Sequence, residues 1–157
     1  MRESLTAINR YTRSGSYIIA LIATLALPIA PTPCVVAAAL DRASTPGQQL
    51  GNLINDYRKQ HGLQPLEPAA MLSELAREHA ARMARDNRLS HDGFEQRLAK
   101  TRAPRCVENV GDGYETPPAA FDAWRNSPVH DRNLLDPKIR YMGLAIERGY
   151  VAFFACG

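Results

Sequence analysis

Leu72, Leu75, Ala76, Ala80, Met83 and Ala84 recur at helical spacing over three turns, with charged residues on the opposite side. Such a stripe requires a helix that buries one face, so another part of the chain has to supply the surface it covers. That surface is predicted at the C-terminus. Met142, Leu144 and Ile146 alternate with Gly143, Ala145 and Glu147, a turn follows at Arg148-Gly149, and an apolar run continues from Tyr150 to Cys156. Period-two alternation on both sides of a short turn predicts an antiparallel hairpin.

The remaining punctuation is mostly helical. Thr45-Pro46-Gly47-Gln48 forms a capping box with proline at the first helical position, and Leu50, Leu53, Ile54 and Tyr57 share one face before His61-Gly62 ends the helix. A short helix is predicted from Phe94 to Lys100, a strand over Cys106–Val110, and a helix capped at Thr116 that runs through Ala120, Phe121 and Trp124. Ser127-Pro128 repeats the cap-then-proline signal and places His130 in the first turn of another short helix. Helices first and antiparallel strands late predict an α+β domain in which helices cover a small sheet.

The N-terminus carries a different signal. Arg2, Arg10 and Arg13 precede an apolar run from Tyr17 to Ala30, and Val36-Ala37-Ala38-Ala39 supplies the small residues an export peptidase needs. Residues 1–39 are therefore expected to be a signal peptide, 40–48 a short leader and 49–157 the folded domain. A retained anchor is the alternative, but Pro28, Pro31 and Pro33 interrupt the run before it reaches the roughly 20 residues of a spanning helix. The expected location is secreted or periplasmic, with no stable membrane span once the signal is cleaved.

Cleavage removes three of the 19 basic and one of the 16 acidic residues, leaving the domain almost neutral. No cluster of Lys and Arg then argues for nucleic acid as a partner. Cleavage also removes Cys34 and leaves Cys106 and Cys156, an even pair that predicts one disulfide in an oxidising compartment. Two separate buried thiols are the alternative.

Three polar residues are unusual for their setting: His91 just past the long helix, Glu108 between Val107 and Val110, and His130 at a helix start. Two imidazoles and a carboxylate are able to bind a divalent metal ion such as zinc, or to share proton transfer. No local motif such as H-E-x-x-H brings them together, so the alternative is a helix cap, a carboxylate on backbone amides and a surface histidine. His79, on the apolar stripe, reads as a hydrogen-bonded core residue.

Taken in order, Ala76-Arg77-Glu78-His79-Ala80 with Met83-Ala84, Ser90-His91, Glu108-Asn109-Val110, Trp124-x-x-Ser127-x-x-His130 with Asn133-Leu134-Leu135, and Met142-Gly143-Leu144-Ala145 resemble the CAP superfamily. This is the SCP-like domain of cysteine-rich secretory proteins, antigen 5 and pathogenesis-related 1 proteins, and the likeness is greatest to its short bacterial branch. The resemblance implies an α-β-α sandwich with a cleft where His91, Glu108 and His130 meet. It further implies association with divalent metal, with sterol or lipid, with other proteins or, contentiously, with proteolysis. Ser127 stands where animal and plant relatives carry a second cleft glutamate, and Val129 where the bacterial branch often carries glycine.

A hydrolase needs a base and an oxyanion holder, and no second carboxylate or activated nucleophile is placed by any motif. The expected function is accordingly a non-catalytic binding module with a His/Glu cleft able to hold a divalent metal or a small ligand, and with lipid, sterol or protein as partner classes. The alternatives are a metal-dependent or acid/base hydrolase using His91, Glu108 and His130, and a structural cell-envelope protein.

Overall fold

The computed structural model describes residues 44–157. The expected signal peptide and its cleavage point lie outside the described residues. Nine elements follow in chain order: α1 (Pro46–Gln60), β1 (Glu67–Pro68), α2 (Ala70–Asp86), α3 (Phe94–Thr101), β2 (Cys106–Gly111), α4 (Pro117–Arg125), α5 (Pro128–Leu134), β3 (Tyr141–Glu147) and β4 (Tyr150–Cys156). This is the α+β architecture expected.

Local chemistry sets the helix starts. Thr45 and Gln48 cap α1 reciprocally, side chain to backbone in both directions, with Pro46 at the first position. Thr116 caps α4 by accepting from the Ala119 amide. Ser127 precedes Pro128 as expected, but its side chain makes no capping bond to α5.

The strands form one sheet in the order β1-β3-β4-β2. Three are antiparallel, and Arg148 and Gly149, both with positive φ, close the β3–β4 hairpin. β1 runs parallel to β3, so the sheet is mixed rather than wholly antiparallel. The short Glu67–Pro68 stretch has no alternation to announce it.

The pleat divides the core. Val151, Phe153 and Ala155 of β4 face Leu50, Ile54, Phe121 and Trp124 from α1 and α4, while Ala152, Phe154 and Cys156 face the α2 stripe. α2 lies directly on β3 at Gly143, where a Cβ would stand 2.0 Å from the Leu72 carbonyl carbon. β2 is an edge strand. Its Glu108 points to the side of the α2 cluster, and its Asn109 to the side of α5.

Candidate functional site

Glu108 is buried on an edge strand, so its charge has to be met by nearby donors. Arg97 of α3 supplies the principal ones. Its Nε donates to Oε2 and its Nη2 to Oε1, each at 2.8 Å, in a two-pronged pair whose side chains are 4 % and 2 % exposed. The third prong, Nη1, donates to the Asp92 carbonyl at 2.9 Å. Gly93, in the left-handed region at φ 79°, starts α3, and a Cβ there would sit 3.3 Å from Arg97 Nη1.

Oε1 of Glu108 also accepts from His91 Nδ1 at 2.9 Å. A carboxylate only accepts, so the ring proton is on Nδ1 and the Nε2 edge is left for other partners. The His91 side chain is 56 % exposed, which makes it the solvent-facing member of the group. His79 stands behind it, 1 % exposed, with Nε2 donating to the Ser90 carbonyl at 2.7 Å and lying 3.6 Å from Oε1. Burial lowers the His79 pKa, partly opposed by the Glu108 charge, and its Nδ1 has no partner among the described residues. The expectation of a hydrogen-bonded core histidine holds. The bond to Ser90 ties the middle of α2 to the residue before His91.

His130 arrives from the other side of the sheet on α5. Asn109, fully buried, donates to the His130 carbonyl at 3.1 Å, and Asn133 donates to both the Asn109 side-chain oxygen and the Glu108 carbonyl. Tyr57 Oη donates to Asp131 at 2.8 Å, and the buried Arg58 donates to the Leu134 carbonyl at 2.6 Å. These bonds fix a seven-residue helix too short to hold its own position. The His130 ring is half-buried, with its centroid 6.5 Å from that of Trp124. Burial lowers its pKa, and the nearby His91 lowers it further. His130 thus stands close enough to His91 for charge repulsion to matter, but its ring makes no hydrogen bond to His91 or Glu108.

His91 and Glu108 are in contact, and His130 adjoins them without joining the bond network. The carboxylate is taken up within the protein, while the Nε2 edge of His91 and the His130 ring make none of these bonds. Both Glu108 oxygens are filled by N–H donors, and among the described residues no three His, Cys, Asp or Glu side chains are grouped to hold a metal. Sequence reasoning missed Arg97 altogether and assigned no site role to His79, Asn109 or Asn133. A hollow of about 530 Å³ beside α5, lined by Arg105, Asp131, Arg132 and Asp136 among others, does not include the imidazole pair.

Cys106 and Cys156 form a disulfide, as the cysteine count predicted, joining opposed residues of β2 and β4. It closes the end of the strand pair two residues from Glu108. Among the described residues no helix is long and apolar enough to cross a membrane.

A family model described as CAP, the cysteine-rich secretory protein family, matches residues 52–156. The chain is 30% identical over 114 residues to a protein of Bacillus subtilis named uncharacterized membrane protein YlbC, and covers 33% of that relative's length against 68% of its own. It is similar in fold to an extracellular protein containing a SCP domain from Bacillus anthracis, with a TM-score of 0.67, 24% identity and coverage of 71% of this chain and 40% of the other. A second similar fold is that of an outer surface protein of Borrelia burgdorferi, with a TM-score of 0.62, 24% identity and coverage of 70% and 89%. The chain thus spans about a third of the length of its curated Bacillus subtilis relative.

Proposed function

The chain belongs to the cysteine-rich secretory protein family, CAP, and from that premise we propose that it is an extracytoplasmic, non-catalytic binding module whose imidazole pair, His91 and His130, receives the polar group of an amphipathic ligand. The carrying observation is the contrast between what the cleft spends and what it leaves open. Glu108 is consumed internally by Arg97 and His91, while the exposed His91 ring keeps one nitrogen edge for a partner. Exposed apolar residues stand close in sequence to both imidazoles. Leu89, two residues before His91, is 44% exposed, and Val129, one residue before His130, is 61% exposed. A polar pair flanked by apolar surface suits a molecule with a hydroxyl on an apolar body, which is why a sterol is the ligand class to test. Export rests on the N-terminal signal, and extracellular and outer-surface proteins of the same fold support it.

Trp124, the chain's single tryptophan, lies beside His130 and reports on the site. Cholesterol carried in cyclodextrin should change its emission saturably, and Val129→Asp and His130→Ala should remove the response. No saturable change, or an equal change in the variants, would rule the proposal out.

A hydrolase is the second reading, favoured by one contact. The bond from His91 Nδ1 to Glu108 orients an imidazole as an acid–base catalyst requires. It stays second because no side chain at the site is an activated nucleophile. Ester or peptide hydrolysis that is lost in folded His91→Ala would promote it.

A further inference from the structure

We propose that the buried Arg97–Glu108 pair sets the hydrogen-bonding sense of the cleft, locking His91 as an acceptor so that an organic ligand must bring it a hydroxyl or N–H rather than a carbonyl or ether oxygen. The inference deepens the binding-module reading and rests on the same cleft. Each Glu108 oxygen faces a guanidinium N–H, Oε2 that of Arg97 Nε and Oε1 that of Nη2, both at 2.8 Å. A carboxyl proton on either oxygen would meet a donor head-on, and a guanidinium does not discharge by losing one. Glu108 therefore has only lone pairs to offer His91, and the 2.9 Å contact with Nδ1 requires the ring proton to be there.

The residues on either side of His91 are held as well. His79 Nε2 donates to the Ser90 carbonyl at 2.7 Å, Arg97 Nη1 to the Asp92 carbonyl at 2.9 Å, and the Asp92 amide to the Ser90 hydroxyl at 2.8 Å. Turning the imidazole over would set a ring C–H against Glu108, and moving the proton to Nε2 would set a lone pair against it. In the neutral ring, Nε2 of this 56 % exposed side chain is thus an acceptor. It takes an O–H, an N–H or a cation, whereas an acceptor-only oxygen placed there leaves both groups unpaired. His130 carries no such instruction, since the bond that holds it is to its backbone carbonyl, and its ring can donate or accept. Discrimination therefore comes from His91, with Arg97 and Glu108 as its positioning residues.

Nitrogen-15 spectra of the histidine rings, recorded at pH 8 with a chelator and without ligand, read the tautomer directly. His91 should show a protonated Nδ1 and a bare Nε2; a proton on Nε2, on both nitrogens or exchanging between them overturns the proposal. Cholestanol and cholestanone, which differ only in a hydroxyl or a ketone at one carbon, are then titrated against Trp124 emission. The alcohol should bind about 10-fold more tightly or better, and equal affinities or a preference for the ketone overturn the proposal. Arg97→Met/Glu108→Leu replaces the buried pair by apolar side chains, an exchange that folds often tolerate. It should release the His91 proton to both nitrogens and bring the two affinities within about twofold. A folded double variant that keeps the Nδ1 proton and the full preference refutes the role of the pair. If the double variant does not fold, the wild-type spectrum and affinity ratio decide. If neither compound binds, the sterol reading fails and the ring spectra alone decide this one.

Discussion

Asn133 donates from one side-chain nitrogen to the Asn109 amide oxygen at 2.9 Å and to the Glu108 backbone carbonyl at 3.1 Å. Since Asn109 in turn holds the His130 carbonyl, this buried amide pair joins the strand that carries the carboxylate to the helix that carries the second imidazole. Asn109→Ala would leave the His130 carbonyl and Asn133 without their partner. It should cost about 1–3 kcal/mol in a denaturant titration and shift the Trp124 emission of the folded protein, because α5 loses its register. Unchanged emission would mean that α5 is positioned without Asn109.

Acid should weaken the fold through two histidines. Burial is the leading cause of the lowered pKa of both His79 and His130, so each takes up a proton more readily unfolded than folded. The unfolded state therefore binds more protons as pH falls through the ordinary histidine value of about 6.5 toward the lower folded values, and stability drops across that window. Above it both groups are neutral in both states and the effect vanishes. Melting temperatures measured from pH 8 to pH 5 should fall, and fall less in His130→Gln. A wild-type curve flat across that range would refute the assignment.

Reduction of the disulfide should destabilise the protein by about 4 kcal/mol in the chain-entropy treatment of a loop of this length. The bond joins residues 50 apart in sequence but paired across β2 and β4. The melting temperature should fall in reductant, and the reduced protein should melt where Cys106→Ala/Cys156→Ala does. Equal melting in all of them would show that the bond contributes nothing.

Gly143→Ala tests how closely α2 approaches the sheet. The new methyl would fall 2.0 Å from the Leu72 carbonyl carbon and 2.2 Å from the Ser73 amide nitrogen, both backbone atoms. A loss of about 3 kcal/mol is expected, at the upper end of ordinary overpacking. A variant as stable as the wild type would mean that α2 can lift from β3 without cost.

Arg58→Ala should be comparably harmful. Arg58 is fully buried and ties α1 to three carbonyls, those of Gln64, Leu134 and Asp136. Its removal leaves a cavity and strips those carbonyls of their donor, a loss of about 2–4 kcal/mol by chemical denaturation. Arg58→Met refills the volume alone, so any recovery it gives isolates the packing share.

What the sequence made legible was local. The α2 stripe, the Thr45 capping box and the 142–156 alternation each specify their element within a dozen residues or so, and the elements form where those patterns stand. β1 was illegible because a two-residue strand has no period and forms only through a distant partner, Tyr141–Met142. At the site, His91 and Glu108 were conspicuous as polar residues in unusual settings, and they do meet. Arg97 was not conspicuous. An arginine on an eight-residue helix reads as a solvated face, and only the folding of α3 against β2 turns it inward. Asn109 was hidden for the same reason, since its partners lie 21 and 24 residues away on α5.

β2 ends the sheet, and an exposed strand edge is an invitation to a second chain. Here α5 lies along it, and Asn133 occupies the Glu108 carbonyl that a docking strand would seek. The contacts that seat His130 therefore also cover part of that edge. A variant that loosens α5 should be judged by its tendency to self-associate as much as by any ligand it ceases to hold.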